Sequence, residues 1–257
     1  MEFSALASGS SGNSFYVGNS KTGVGILIDA GINCKTFEER MKSINRSPLS
    51  IKGIFITHEH TDHIKGADVI SRKYGIPVYA TKKTFDDRFI AIEERQEVIK
   101  NDETINVGGM MIETFKKNHG ASDPVSFNIQ TNDKKISVIT DVGKACDNIH
   151  DNINESDLLC IEANHDPDML IEGKYPWFLK KWILSDTGHL SNKQSALAVL
   201  EHARPKMKRI VLSHLSAHNN TPEVAMETYK KLIKERRDLQ PTINVSVREY
   251  ATPVMKI

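Results

Sequence analysis

The segment IFITHEHTDH, residues 54–63, joins an apolar strand to a cluster of metal-ligand side chains. His58 and His60 are two residues apart, so on an extended backbone their side chains face the same way. Asp62 and His63 follow where a helix is predicted to begin, and its first turn can present both side chains from the other side of the same pocket. The spacing therefore predicts a metal site at the end of this strand.

Three imidazoles and one carboxylate suit divalent zinc, iron or manganese. A tetrahedral catalytic ion binds three protein ligands and keeps its fourth position open, so these four ligands exceed what one ion needs. We therefore expect two ions that share a bridging ligand. The competing interpretations are a loop of ordinary surface polar residues and a metal site without catalysis. An HxHxDH run at a strand end is far more specific than a short glycine motif, which favours the catalytic site.

Short strands and helices are predicted on both sides of this segment. The predicted helices span residues 36–44, 64–74, 196–202 and 222–232, and the third follows the capping pair Ser191 and Gln194. Mixed elements recur in both halves, which predicts an α/β fold: an αββα sandwich of two mixed β-sheets with helices on the outer faces, in one domain over residues 1–257. The predicted strands span residues 14–17, 25–29, 53–57, 78–80, 111–115, 126–130, 136–140, 158–162 and 209–213.

The composition is that of an ordinary globular chain, and the net charge of +1 gives no overall nucleic-acid signature. A nuclease with this balance needs a local basic patch, and the candidates are residues 180–181, 204–209 and 230–237. For residues 230–237 we favour a solvated helix face. The aromatic residues in 175–178 are expected to pack in the interior, with base stacking as the alternative.

The three cysteines, Cys34, Cys146 and Cys160, are widely spaced and form no CxxC pair. This spacing argues against a disulfide framework and against a cysteine zinc site. The N-terminus lacks the basic start and apolar run of a signal peptide, and no apolar stretch approaches the ~20 residues that span a bilayer. We therefore expect a cytoplasmic protein without a membrane partner.

The HxHxDH run and the predicted sandwich resemble the metallo-β-lactamase superfamily over nearly the whole chain. In that superfamily, further metal ligands come singly from later strand ends, and His119, Asp141 and His214 follow the predicted strands 111–115, 136–140 and 209–213 in the same order. The resemblance implies two divalent metal ions per chain. It implies that Asp141 bridges the ions, that the first is held by His58, His60 and His119, and that the second is held by Asp62, His63 and His214.

Two later segments resemble nucleases of this superfamily. His60 is a histidine where redox members carry an acid, which favours hydrolysis. Glu162, at the end of strand 158–162, and His189, in SDTGHLS, resemble catalytic elements of tRNase Z and RNase J type enzymes. The resemblance implies that Glu162 fixes the tautomer of His189, and that His189 protonates the leaving alkoxide or contacts the phosphate.

The segments ASGSSGNS (7–14), EANHDP (162–167) and GHLSN (188–192) resemble the small YycJ-type nucleases of bacteria. This resemblance implies a 5′ exonuclease acting on DNA, with a role in DNA repair. The chain is too short for the large domain that RNase J type enzymes insert between Asp141 and His189, so the groove is expected to be open on that side. The serine-glycine stretch could present backbone N–H groups to a phosphate, or be a flexible turn. His165 is not assigned as a ligand.

The expected mechanism is phosphodiester hydrolysis. Two ions polarise one phosphate and acidify a bridging water to hydroxide, Asp62 helps to orient it, and His189 protonates the leaving oxygen. One alternative is a small-molecule hydrolase of the same fold that acts on a thioester, lactone or cyclic phosphodiester. The other is a metal-stabilised binding or scaffold protein. The sequence leaves open which metal is bound, whether DNA or RNA is cut, and whether any protein partner exists.

Overall fold

Two mixed β-sheets form the centre of the molecule, which is described here from a computed structural model over residues 1–132 and 134–257. In these residues the first sheet has the strand order β14-β1-β2-β3-β4-β5-β6, and the second has the order β13-β12-β11-β10-β9-β8-β7. The strands are β1 (Glu2–Ala7), β2 (Ser14–Asn19), β3 (Val24–Ile28), β4 (Ile51–Phe55), β5 (Val78–Thr81), β6 (Gln96–Ile99), β7 (Thr104–Val107), β8 (Met110–Lys116), β9 (Val125–Thr131), β10 (Lys134–Ile139), β11 (Leu158–Glu162), β12 (Arg209–Ser213), β13 (Thr242–Val245) and β14 (Met255–Lys256).

Helices cover the outer face of each sheet. Short 3-10 turns at Pro48–Ser50 and Glu93–Arg95 join other elements. Within the described ranges, no helix is long and apolar enough to cross a bilayer. The α-helices are α1 (Cys34–Ser43), α2 (Thr61–Ile64), α3 (Ala67–Tyr74), α4 (Lys82–Asp87), α5 (Asp147–Glu155), α6 (Pro167–Glu172), α7 (Trp177–Ile183), α8 (Asn192–His202) and α9 (Pro222–Ile233).

Strand β11 shows how the sequence builds the layers. Leu158 and Cys160 face the core between the two sheets, whereas Leu159 and Ile161 face the core beneath α5, α8 and α9. The two-residue repeat of a strand sends alternate side chains to opposite faces, and both faces here are apolar because both are covered. A third core lies between the first sheet and helices α1 and α3. The predicted αββα sandwich is confirmed.

Two predicted elements differ from the structure. The helix expected over residues 64–74 is divided into α2 and α3, because the Gly66 N–H donates to the Ala30 carbonyl at 2.7 Å. A Cβ at Gly66 would lie 1.9 Å from the carbonyl oxygen of Ile32, so only glycine fits this close approach. The strand expected over 53–57 is β4, which ends at Phe55, so Thr57 and His58 already belong to the loop.

The topology brings several strand ends to one edge of the sandwich. Strands β10, β11 and β12 are parallel, and β8 runs in the same direction because it pairs antiparallel with β9, which pairs antiparallel with β10. Their carboxyl ends therefore lie on the same side of the second sheet. Residues at or just after the ends of these four strands, together with the loop after β4, contribute most of the site described next.

Candidate metal centre

The first predicted ligand set forms a compact group of imidazole nitrogens. His58 Nε2 lies 3.0 Å from His60 Nδ1, and His119 Nε2 lies 3.3 Å from the same atom. The three potential ligand atoms are within 4.8 Å of one another, close enough for one ion to contact them all. His58 and His119 are buried, and His60 is partly accessible. The structure thus brings together three residues that are up to 61 positions apart in sequence.

The second predicted set lies directly beside the first. Asp62 Oδ2 is 3.4 Å from His63 Nε2 and 3.5 Å from His214 Nε2. Asp141 stands between the two sets, with Oδ2 at 3.2 Å from His63 Nε2 and Oδ1 at 3.8 Å from His119 Nε2. All seven residues predicted as ligands therefore meet at one place, and Asp141 contacts residues of both sets.

Hydrogen bonds hold the second ring nitrogen of four histidines. Carbonyl and carboxylate oxygens only accept, so an Nδ1 bonded to one of them carries a proton, and Nε2 is the ring nitrogen left to bind a metal ion. The pairs are His58 Nδ1 with Thr57 Oγ1 at 2.9 Å, His63 Nδ1 with Asp29 Oδ2 at 2.7 Å, His119 Nδ1 with the Gly188 carbonyl at 3.1 Å, and His214 Nδ1 with Glu162 Oε1 at 2.8 Å.

Glu162 connects the ligand sets to His189. Its Oε1 accepts from Nδ1 of both His189 and His214 at 2.8 Å, and its Oε2 accepts from the backbone N–H groups of Val142 and Leu190 at 3.0 Å. Burial raises the pKa of this carboxyl, but the charges and hydrogen bonds of His189 and His214 outweigh burial and lower the pKa to about 2. The expected contact with His189 is present, and the contact with His214 is an addition to it.

The charges of the site favour bound cations. Burial lowers the pKa of His214, but Asp141, Asp62 and Glu162 outweigh it and raise the pKa to about 10. Burial also lowers the pKa of His63, but the carboxylates of Asp141, Asp29 and Asp62 outweigh burial and hold this pKa well above its usual value. Protons on these two imidazoles therefore balance the carboxylates, and a cation that binds the same nitrogens displaces them.

Two buried atoms support this fit to a metal. Asp141 Oδ2 and His214 Nε2 make no hydrogen bond within the described residues, although charged groups lie 3.2 and 3.5 Å away. Buried polar atoms are rarely left without a partner. Imidazole nitrogens and carboxylate oxygens are ligands of zinc, manganese and iron, so the residues present fit divalent ions of this kind.

Three residues of the site have a left-handed backbone. Asp29, Asp141 and His214 have φ values of 59°, 56° and 56°, and each follows the end of a strand. This conformation is uncommon for residues other than glycine, although Asp and His tolerate it better than most. It costs free energy and persists where surrounding contacts fix it, which is typical of functional sites.

Asn13 is a site residue that the sequence did not reveal. Its Nδ2 lies 3.2 Å from both Asp62 Oδ2 and His63 Nε2, and its Oδ1 accepts from the Gly9 N–H at 2.9 Å. Asn13 is completely buried. The stretch 8–14 is therefore held in place by hydrogen bonds, and it supports Asp62 instead of forming a free turn.

Lys117 is a second such residue. Its buried ammonium group donates to the carbonyl of Thr140 at 2.7 Å, just before Asp141. Burial lowers the pKa of Lys117, while the carboxylates of Asp141, Asp29, Glu162 and Asp62 act in the opposite direction. In the sequence, the only signal for Lys117 was its position two residues before the predicted ligand His119.

The remaining candidates lie outside the ligand sets. His165 is buried, its ring nitrogens have no hydrogen-bond partner among the described residues, and burial lowers its pKa to about 4. Lys180 donates to the Ile171 carbonyl at 2.6 Å and is buried, so its charge is not available to a phosphate. The basic residues 204–209 precede or begin β12, at the opposite end from His214.

Comparisons with known proteins agree with this geometry. A family model described as a β-lactamase superfamily domain matches residues 25–215. The chain is 36% identical to "Exodeoxyribonuclease YycJ" of Bacillus anthracis over 240 residues, covering 92% of this chain and 90% of that protein. It is 37% identical to "Exodeoxyribonuclease WalJ" of Streptococcus pneumoniae over 268 aligned positions, covering 100% and 98%.

Solved structures show the same fold at low sequence identity. The metallo-β-lactamase fold protein YhfI of Bacillus subtilis has a TM-score of 0.73 at 13% identity, with 98% of both chains covered. The short form of human tRNase Z has a TM-score of 0.66 at 15% identity, also with 98% of both chains covered. At these identities the similarity establishes the fold and nothing finer.

We predict that Glu162→Gln weakens metal binding about 10- to 100-fold, the usual cost of losing a group that orients a metal ligand. The glutamine NH2 group would face N–H donors where the carboxylate now accepts four hydrogen bonds. Competition against a chromogenic chelator measures the affinity. Glu172→Gln, at the exposed end of α6, is the matched control. Wild-type affinity in a folded Glu162→Gln protein would contradict the assignment.

Proposed function

Because the chain belongs to the β-lactamase superfamily and is a hydrolase, we propose that it is a metal-dependent exonuclease that removes nucleotides from the 5′ end of DNA. Relatives at 36% and 37% identity, matched over at least 90% of their length, carry the name exodeoxyribonuclease. The 5′ polarity and a role in DNA repair rest on the resemblance of residues 7–14, 162–167 and 188–192 to YycJ-type nucleases.

One contact carries the proposal within the structure. Glu162 lies 2.8 Å from His189 and places this imidazole beside Asp141, whose Oδ1 is 4.0 Å from His189 Nδ1. His189 belongs to neither of the two predicted ligand sets, yet its side chain is 10% exposed and lines the cavity that contains Asp62 and His214. An imidazole next to a metal centre, oriented by a buried acid, suits proton transfer to a leaving oxygen.

The metal ligands in this proposal are the two predicted sets. When bound, two divalent cations, whether zinc, manganese or iron, would polarise the scissile phosphate and acidify the attacking water. Asp141 lies between the sets. The first set is His58, His60 and His119, and the second is Asp62, His63 and His214.

The chain's own residues supply orientation and a proton. Asp62 is 23% exposed and is fixed by the amide of Asn13, so it can accept a hydrogen bond from the attacking water. His189 keeps one proton on Nδ1, where the Glu162 carboxylate accepts it, and presents Nε2 to the leaving oxygen. Glu162 also stabilises the imidazolium, as an acid paired with a histidine does in other hydrolases.

The relatives weigh against a small-molecule substrate. Two proteins matched over at least 90% of their length carry the name exodeoxyribonuclease, which disfavours the thioester, lactone or cyclic phosphodiester alternative.

A cytoplasmic location and a single domain over residues 1–257 are part of the proposal. Cys34, Cys146 and Cys160 are free in the structure, which suits a reducing compartment. The segment between Asp141 and His189 consists of α5, β11, α6 and α7, with no space for a large insertion.

The direct test uses duplex DNA, single-stranded DNA and RNA, each labelled at the 5′ or the 3′ end, with zinc or manganese present. We expect early release of the 5′ label from DNA and no release by Asp141→Ala, because that variant loses the group between the two ligand sets. Hydrolysis of none of these nucleic acids by metal-loaded protein would contradict the proposal.

The role of His189 has its own test. We expect His189→Ala to slow DNA cleavage by about 100-fold or more, the usual contribution of a general acid, at unchanged metal content. A p-nitrophenyl ester of thymidine 5′-monophosphate has a leaving group that needs no proton, so its hydrolysis should fall much less. His202→Ala, which removes a half-exposed surface histidine on α8, is the control. An equal loss on both substrates would show that His189 does not protonate the leaving oxygen.

A further inference from the structure

Helix α7 exposes three aromatic side chains, two of which, Trp177 and Phe178, were expected to pack in the interior. Trp177 is 61% exposed, Phe178 is 76% exposed and Trp182 is 38% exposed. The packing role expected for Trp177 and Phe178 is therefore wrong. Isolated exposed apolar residues are common, whereas three large aromatic side chains exposed on one short helix are unusual and point to a binding surface.

This surface begins inside the candidate metal centre. Trp182 lines the same cavity as Asp62, Asp141 and His189, and its ring centroid is 5.3 Å from that of His189. Phe178 precedes Trp182 by one helical turn, so the two side chains are neighbours on the helix surface. The aromatic surface is defined here as Trp177, Phe178 and Trp182. Trp182 is its member inside the cavity, and Trp177 lies next to Phe178 in the sequence.

Backbone contacts fix helix α7 to the His189 turn. The His189 N–H donates to the Ile183 carbonyl at 2.9 Å. A Cβ at Gly188 would lie 2.2 Å from the Trp182 carbonyl oxygen and 2.3 Å from that of Ile183, so glycine permits this close approach. The backbone of α7 at Trp182 and Ile183 is therefore held against the turn that carries His189.

Trp177 is also held in position. The ammonium group of Lys180 lies 5.5 Å from the centroid of the indole ring and is itself bound to the Ile171 carbonyl at 2.6 Å. A cation placed over the ring stabilises this arrangement. Because Trp177 remains 61% exposed, most of its surface is free to contact a ligand.

We propose that the aromatic surface stacks the unpaired bases of a single DNA strand whose end lies at the metal centre. The inference rests on the proposed function and adds the form of the substrate: a single-stranded or frayed end, bound with little sequence preference. Every base presents an aromatic face, so stacking tolerates any sequence. In an intact duplex the faces of the bases are covered by their neighbours and cannot reach such a surface.

A nucleic acid strand fits this surface better than a protein partner. Trp182 lines the cavity that contains His189, so a substrate that extends beyond the cavity past Trp182 reaches the outer surface of helix α7. Lys174 and Lys181 are exposed on either side of Trp177 in the sequence and can contact the phosphates of the same strand. Aromatic rings combined with cations along one path are typical of single-strand binding.

The chain offers a direct optical test, because Trp177 and Trp182 are its only two tryptophans. Metal-loaded protein is titrated with a single-stranded oligonucleotide whose phosphorothioate linkages resist hydrolysis, and with the same strand lacking the first three bases. We expect the complete strand to quench tryptophan fluorescence and to bind at least about 5-fold more tightly than the abasic strand.

The preference for the complete strand should shrink in Phe178→Ala and in Trp182→Ala. The control Phe89→Ala removes a phenylalanine that is 70% exposed but follows helix α4, and it should keep the wild-type preference. An unchanged preference in both α7 variants, or equal binding of both strands by the wild type, would overturn the inference and leave the surface to another partner. If protein that gives either of these results still degrades labelled DNA, the proposed function stands and only the inference about single-strand stacking fails.

Discussion

The site depends on carboxyl groups that the fold buries at one edge of the sandwich. Asp29, Asp141 and Glu162 are at most 2% exposed. Burying a carboxylate is costly unless it is paired, hydrogen-bonded or bound to a metal. Here Asp29 and Glu162 each accept from a histidine Nδ1, which fixes that histidine's tautomer. Nε2 then faces a second carboxylate, Asp141 for His63 and Asp62 for His214. The hydrogen bonds that offset the cost of burying these carboxylates therefore also orient the imidazoles to bind cations. The burial of charge and the geometry of the predicted ligands depend on the same contacts.

The backbone supplies the second requirement, which is close approach. A Cβ at Gly31 would lie 1.7 Å from the Asp62 carbonyl oxygen, so the loop after β3 contacts the start of α2 directly. On the other side of the site, Gly188 allows α7 to contact the His189 turn. The left-handed conformations of Asp141 and His214 turn their side chains into the space between these contacts. The positions of the predicted ligands are therefore set by the strand ends, by Gly31 and Gly188, and by the left-handed backbone of Asp141 and His214.

The sequence placed the predicted ligands in two ways. Residues 54–63 carry four of them at fixed spacing, whereas His119, Asp141 and His214 were assigned from the resemblance to the metallo-β-lactamase superfamily, each after a predicted strand. Asn13 was missed because its contact with Asp62 spans 49 residues and exists only after folding. The exposure of the aromatic surface was missed because aromatic residues at helical spacing look the same whether they pack or bind. The predicted helix 64–74 failed at Gly66, where a tertiary contact with Ala30 outweighs helix propensity.

The most direct test of the account is the anomalous scattering of a crystal of the metal-loaded protein, measured at the absorption edge of the bound metal. The account predicts two ions per chain with Asp141 between them, one among His58, His60 and His119, and the other among Asp62, His63 and His214. A single ion at saturating metal, or two ions held by other residues, would contradict the central claim that these seven side chains form one two-metal centre.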